Sequence, residues 1–332
     1  MLTSKFLKVA ALSAIPVAMA MGSLSVFAQA FPSKAINVVV PFPAGGAADF
    51  SARFMTKEMT ITLKQPMLVD NVTGVAGALG VMKGLNAAPD GHTLILSDIN
   101  SLILAPIANV NAKYKAEEVK TVAMIGAADI MLAVRKDLPV STIDELIALA
   151  KKSTDKPLSY CSSGIGSQFH LIGEKFNQTA GLKTMHVPYN ALPPCIQNMM
   201  GNIVDYAFLP IAGPFPGFVK AGNLKIIAIA GTKPHPIFSK EPLFKNAKGF
   251  ESFVFNAWSG LHVSPKVSDE AVAVLNKSAT DALLTEYVKT TIAASGSVPF
   301  ETMNPAESQA FYLREVAKYQ AIAKSIDLKP QQ

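Results

Sequence analysis

Short apolar, β-branched runs alternate with helix-like segments along nearly all of this chain. That alternation restricts it to an α/β architecture with mainly parallel sheets. Candidate strands fall at residues 36–40, 67–70, 93–97, 121–125, 131–134, 158–160, 184–187, 206–209, 225–230 and 260–263. Helical segments follow several of them, starting near Ala47, near Gly77, at Ser141, near Ser167, near Pro194 and at Ser268. A last helix is expected from about Pro305 to Ser325. Ser141-Thr142-Ile143-Asp144 supplies capping hydroxyls and an acid in the first turn, where the helix dipole favours it.

Residues 1–30 stand apart from this pattern. Lys5 and Lys8 precede an apolar run at 9–21, and Ala28-Gln29-Ala30 is a small-residue cleavage signal. The run is shorter than the roughly 20 apolar residues of a membrane span. Residues 1–30 therefore read as a secretory signal peptide, with an exported, soluble chain beginning at Phe31. Its 302 residues suit two domains of ordinary size. Ala127-Ala128-Asp129 and the stretch 250–258 lie between apolar strands and are the natural crossing points. They divide the chain into domain 1 (31–128 plus 256–332) and domain 2 (129–255), with the C-terminal helices packed on domain 1. Two crossovers would form a hinge around a cleft.

The turns between these strands and helices carry the functional signal. Pro41-Phe42-Pro43-Ala44-Gly45-Gly46 joins a strand to a helix with few large side chains. Such a turn exposes backbone N–H groups at a helix N-terminus, an arrangement suited to an anion. The device recurs at Asp70-Asn71-Val72-Thr73-Gly74-Val75-Ala76-Gly77 and at Tyr160-Cys161-Ser162-Ser163-Gly164-Ile165-Gly166-Ser167. A fourth turn runs Val187-Pro188-Tyr189-Asn190-Ala191-Leu192-Pro193-Pro194. Ligands of open α/β sheets bind outside the carboxyl ends of the strands, so two facing domains would bring these turns to one cleft. Neutral donors would hold the anion there.

Other chemistries are poorly served. Neither a phosphate-binding Gly-x-x-x-x-Gly-Lys-Ser/Thr loop nor a Gly-x-Gly-x-x-Gly helix start occurs. The net charge of +6 falls to +4 without the leader and no basic run exists, so nucleic acid is not an expected partner. The five His are scattered without metal-ligand spacing, and no metal or cofactor is expected. His92, His186, His235 and His262 read as local hydrogen-bonding residues. Gly-x-Ser-x-Gly is absent. Ser162 or Ser167 with His170 could serve a secreted hydrolase of a carboxylic ester or amide, the alternative to a binding protein. The spacing of Ser167 and His170 suits a plain helix face equally well. Cys161 and Cys195 would either form a disulfide in an oxidising compartment or remain two buried thiols, since sequence does not give the separation of their Cα atoms.

The chain resembles the Bug-type solute-binding receptors of tripartite tricarboxylate transporters. The likeness is carried by Phe31-Pro32-Ser33-Lys34-Ala35-Ile36, the Pro41 to Gly46 turn with Asp49 and Ala52-Arg53, and Ala88-Pro89-Asp90-Gly91-His92-Thr93-Leu94. It continues through Ser159-Tyr160, Ser163-Gly164-Ile165-Gly166-Ser167, His170 and His186-Val187-Pro188-Tyr189. The resemblance implies a two-domain periplasmic binding protein of the type II-like kind, each domain a mainly parallel sheet flanked by helices. It implies a monomer that closes on a small carboxylate and delivers it to membrane transporter subunits. Family ligands include dicarboxylates, tricarboxylates, acidic amino acids, nicotinate-like acids and aromatic dicarboxylates. Departures occur where Asp70-Asn71-Val72-Thr73 replaces the usual Arg-Pro and where Asn190-Ala191-Leu192-Pro193-Pro194-Cys195 replaces a Lys-Gly-Ser/Gly pattern. If the two turns of domain 2 lie side by side, a Cys161–Cys195 bridge would pin them together.

Candidate ligand contacts on domain 1 are Phe42, Pro43, Ala44, Gly45, Gly46, Ala76, Gly77, Ser97 and Asp98. On domain 2 they are Ser162, Ser163, Gly164, Ile165, Gly166, Ser167, His170, Tyr189, Asn190 and Phe208. Asp49 is expected either to supply favourable charge to the helix dipole or to bond back to its own turn, rather than to meet an anion. Asp98 meets the same objection to an anion, the alternative being that it accepts from a ligand amine or hydroxyl. Phe42 and Tyr189 would form apolar walls suited to a flat aromatic acid, Phe208 is either core or platform, and Trp258 is expected to pack at the hinge.

Overall fold

The computed structural model describes residues 31–331, and the signal-peptide reading of residues 1–30 lies outside them. Five strands build one half of the sheet: β1 (Ile36–Val40), β2 (Met67–Asn71), β3 (Thr93–Asp98), the first part of β4 (Lys120–Arg135) and β9 (Asn256–Val263). The other half holds the second part of β4 with β5 (Ser159–Ser162), β6 (Met185–Pro188), β7 (Tyr206–Pro210) and β8 (Leu224–Ile229). A short β10 (Val298–Pro299) pairs with β4. The connecting helices are α1 (Ala47–Leu63), α2 (Ala78–Leu85), α3 (Ala105–Ala108), α4 (Ile143–Lys152), α5 (Gln168–Ala180), α6 (Leu192–Met200), α7 (Phe215–Lys220), α8 (Asp269–Leu284), α9 (Glu286–Ala294) and α10 (Pro305–Ser325).

The α/β expectation holds, with one difference in the middle of the sheet. The outer pairs β1–β2, β1–β3, β5–β6 and β5–β7 are parallel, as short strands followed by helices require. The central strands β4 and β9 run antiparallel to all their neighbours. Each half is therefore mixed rather than mainly parallel. The expected separate strands at 121–125 and 131–134 are two ends of the single 16-residue β4. Gly126, Ala127 and Ala128 between them are small, which masks a strand in the sequence but does not interrupt its backbone. β4 pairs with β9 as far as Asp129 and with β7 from Ile130 onward.

Burial explains the elements. Val38, Val39 and Val40 of β1 are fully buried, as a two-sided parallel strand demands. Phe54, Met55 and Met59 of α1 cover one face of the first half together with Leu275, Ala279 and Ala282 of α8. In the second half Phe176, Phe208, Phe244, Phe250 and Phe253 pack with ring centroids 4.5–6.3 Å apart. Each buried ring contributes roughly 1.5–3 kcal/mol of transfer free energy. Helix α10 begins at a capping box, Asn304 with Glu307, and carries Pro at its first position. It buries Tyr312 and Tyr319, and its Glu315 accepts from the Trp258 indole at 3.1 Å. Trp258 is thus packed beside the strand that joins the halves.

Cys161 of β5 and Cys195 of α6 form a disulfide with Cα atoms 5.7 Å apart and a sequence separation of 34. The bridge fixes the start of α6 against the end of β5. Loop-closure entropy for such a separation gives roughly 3–4 kcal/mol of stabilisation. The Cys161→Ala/Cys195→Ala pair should lose about that much in urea unfolding. An unchanged unfolding midpoint would show that the bridge does not constrain the unfolded chain.

Candidate functional site

Strands β1, β2, β3, β5 and β6 end on the edge of one cleft of about 480 Å³. Pro41, Phe42 and Pro43 line it after β1, and Thr73, Gly74, Ala76 and Gly77 after β2. Asn100, Leu104, Ala105, Ala108 and Asn109 follow β3. Ser163, Ile165, Gly166 and Ser167 reach it from β5, Asn190 from β6, and Gln331 from the C-terminal tail. No Asp, Glu, Lys, Arg or His stands among these residues. A separate hollow of about 360 Å³ beside Phe31 and Glu270 lies away from these strand ends.

The first turn is braced from behind. Asp49, in the first turn of α1, is 3% exposed. Its carboxylate accepts from the Gly45 N–H at 2.9 Å, from Arg53 at 2.9 and 3.0 Å, and from Asn71 Nδ2 at 3.1 Å. Asn71 also donates to the Phe42 carbonyl at 3.0 Å. The Arg53 guanidinium, with help from the Gly45 amide, lowers the Asp49 pKa to about 2. Asp49 therefore bonds back to its turn, as its place in the first helical turn suggests. Because Gly45 gives its N–H to Asp49 and Gly46 gives its own to Pro43, Ala44, Gly45 and Gly46 stay outside the cleft lining. Phe42 and Pro43 line it.

The second turn stores strain. Gly74, Val75, Ala76 and Gly77 all have positive φ, between 51° and 124°. A non-glycine residue in that region costs roughly 1–2 kcal/mol, so holding Val75 and Ala76 there is a constraint imposed by the surrounding structure.

After β3 the chain makes a π turn over Asn100–Leu104. Asp98 Oδ1 accepts from the Asn100 and Ser101 amides at 2.9 and 3.3 Å. Desolvation pushes its pKa up, against the pull of these bonds. Ser97 is fully buried and bonds Ser101. Neither Ser97 nor Asp98 lines the cleft: both hold the turn. The sequence reading missed the residues this turn presents. Leu104, Ala105 and Ala108 look like ordinary core in the apolar run 102–108, and only the π turn brings them to the cleft.

The third turn has its own support. His186 Nε2 lies 2.8 Å from Ser162 Oγ, which donates to the Gly164 carbonyl at 3.0 Å. His170 Nδ1 accepts from the Gly166 N–H at 3.1 Å, and its ring stacks on His186 at 4.2 Å. Desolvation, reinforced by its neighbour His170, lowers the His186 pKa to about 4; desolvation lowers that of His170 too. Both rings are neutral near pH 7. Ser167 caps α5, donating to the Gly164 carbonyl at 2.7 Å. Ser162, Gly164 and His170 thus shape the turn without lining the cleft, while Ser163, Ile165, Gly166 and Ser167 face it. Ser162 is fully buried, so a substrate has no approach to its hydroxyl. Tyr189 packs on the core of the second half, leaving Phe42 as the one aromatic wall. Phe208 is fully buried among phenylalanines because β7 lies between β4 and β5, so it is core and not a platform.

The halves touch at this site. Asn100 Oδ1 accepts from the Gln168 N–H at 3.1 Å, and Gln168 Nε2 donates to the Asn256 carbonyl at 2.7 Å and to Tyr319 at 2.7 Å. Gly166 has φ +78°, and a Cβ there would stand 2.4 Å from the Ala108 methyl. Only glycine fits. Among the described residues no group of three or more His, Cys, Asp or Glu is placed to hold a metal, and no helix is long and apolar enough to cross a membrane.

Residues 51–328 match the family model described as tripartite tricarboxylate transporter family receptor. The chain is 27% identical over 309 residues to protein BugT of Bordetella pertussis, covering 92% of this chain and 93% of that protein. Its fold is similar to the periplasmic binding protein BugD, with a TM-score of 0.74, 25% identity and coverage of 91% and 100%. It is also similar to MatC of Rhodopseudomonas palustris, solved with bound malate, with a TM-score of 0.73, 27% identity and coverage of 88% and 99%.

The brace at Asp49 has a defined pH signature. A carboxyl whose pKa is lower in the folded than in the unfolded state stabilises above the ordinary carboxylate range and loses that contribution as pH falls towards 2. Asp49→Asn should be less stable than the parent at pH 6, and the difference should shrink between pH 4 and pH 2. A difference that stays constant across that window, in urea unfolding, would show that the charge on Asp49 is irrelevant.

Proposed function

The chain belongs to the tripartite tricarboxylate transporter receptor family, and on that premise we propose that it captures a small carboxylate in the periplasm and delivers it to the membrane subunits of such a transporter. Its relatives are binding receptors rather than enzymes. The observation that carries the proposal is the convergence of strand-end turns from both halves of the sheet on one cleft with no charged lining residue. A carboxylate there would be held by hydroxyls, side-chain amides and backbone N–H groups, which make strong charge-assisted bonds to an anion. MatC, of similar fold, holds malate.

The ligand would be a carboxylate with an apolar body. Phe42, Leu104, Ala105, Ala108 and Ile165 are apolar positions on the lining, and about 480 Å³ exceeds what a four-carbon acid needs. Aromatic dicarboxylates fit this description better than citrate. The halves would act as two domains, 31–128 with 256–332 and 129–255, flexing where β4 changes partner at Asp129 and Ile130. Ligand binding would then shift the population towards the closed form.

A thermal-shift panel of malate, succinate, citrate, aspartate, glutamate, nicotinate, phthalate and terephthalate, with sulfate as control, tests this after mild unfolding and refolding to strip retained ligand. A ligand at about 100 times its dissociation constant adds about 2.7 kcal/mol, or roughly 5–10 °C at this size. At least one acid should reach that shift without being consumed. No shift from any acid, with the fold intact by circular dichroism, would overturn the proposal; aliphatic acids binding while aromatic ones fail would sink the apolar-body reading.

Closure has a separate test. Gly166→Ala drives a methyl into Ala108 and should weaken the best ligand at least ~10-fold, since the halves can no longer meet. Ala108→Gly in the same background should restore part of the loss. Unchanged affinity in Gly166→Ala would mean that the contact plays no part in binding.

A further inference from the structure

We infer that Gln331 is a specificity-determining residue of the cleft, reading a second polar group at the far end of the bound acid. The inference rests on the carboxylate-receptor reading above. Beyond α10 the chain turns back and brings position 331 alongside the end of α3. The Gln331 N–H donates to the Ala108 carbonyl at 2.8 Å, and its carbonyl accepts from the Val110 N–H at 3.1 Å. These bonds form a parallel bridge opposite Asn109. The backbone at 331 is thus held through both its N–H and its carbonyl, while the residue stays exposed and lines the cleft.

Its position is set by the residue at which the halves meet. Ala108 accepts from Gln331 through its carbonyl and faces Gly166 through its methyl, leaving no room for a Cβ at 166. The tail, α3 and the turn after β5 therefore come together at one point. A ligand group lying between the halves has the Gln331 amide at hand.

Chemistry narrows what that amide reads. Four side-chain amides line the cleft: Asn100, Asn109, Asn190 and Gln331. Asn100 gives its oxygen to the Gln168 N–H and Asn109 gives its own to the Asn111 N–H. The Gln331 side chain has no hydrogen-bond partner among the described residues, so two N–H donors and a carbonyl remain for a ligand. Asn190 comes from the turn after β6, whereas Gln331 stands with the first half, so the two can address opposite ends of one molecule. A neutral donor there suits a second carboxylate. Glu at 331 would present the same shape with acceptors only and a like charge.

Isothermal titration decides the matter with two matched pairs of probes, terephthalate against benzoate and succinate against butyrate, on the parent, Gln331→Ala and Gln331→Glu. The parent should prefer the dicarboxylate of at least one pair. Gln331→Ala should lose about 10-fold for that dicarboxylate and Gln331→Glu more, while the monocarboxylate changes less than about 3-fold. Equal losses for both members of a pair, or none, in variants that keep the parent circular dichroism spectrum would overturn the inference and leave the receptor reading standing. A parent that prefers the monocarboxylates would overturn it as well. A parent that binds no acid in either these pairs or the wider panel would instead overturn the receptor reading, and this inference with it.

Discussion

A single extended strand holds the molecule together. β4 spans 16 residues, gives its first part to β9 and its second to β7 and β8. Every parallel strand that ends at the cleft connects through this pair of central strands, and α10 lies along β4 with Tyr312 and Tyr319 buried. The halves are therefore not separate bodies joined by flexible chain. They share backbone hydrogen bonds across the boundary, so any relative motion must be carried by twist in β4 and β9, an angular freedom that sheets possess without breaking their ladders.

Around that frame the cleft divides its labour between groups that shape it and groups that face it. Asp49, Asp98, His170 and His186 are titratable residues behind the turns, and each makes hydrogen bonds into the turn backbone or into a neighbour that does. The facing positions are hydroxyls, amides, glycines and apolar side chains. Burying a charge is tolerable only when it is fully partnered, and Asp49 meets that condition. Asp49 is saturated by Gly45, Arg53 and Asn71, and the Arg53 guanidinium offsets its negative charge behind the turn.

Much of this was legible in the sequence, for identifiable reasons. The strand-to-helix turns announce themselves through Gly45-Gly46, Gly74 to Gly77 and Gly164-Ile165-Gly166, and α10 was bounded at Pro305 and Ser325 by its cap and its end. β4 was read as two strands because Gly126, Ala127 and Ala128 have little β propensity of their own, and tertiary pairing with β9 supplied what the residues lacked. Within the turns, sequence could not say which N–H groups are already engaged. That depends on Asn71 reaching Phe42 across 29 residues and on the ring of His170 folding back on Gly166. Leu104, Ala105 and Ala108 were hidden by their resemblance to core, and Gln331 by a bridge to Asn109 that no local pattern signals.

The braces behind the turns also bear on how this protein can change over generations. Stability is held by Asp49, Asn71, His170 and the Cys161–Cys195 bridge, none of which lines the cleft. Substitutions at the exposed Ile165 or Asn190 would change the lining of the cleft without touching the groups that keep its walls standing. Recognition and foldability are thus under separate hereditary control. A lineage built on this scaffold can diversify its cargo by drift at a few facing positions while the frame is inherited unchanged.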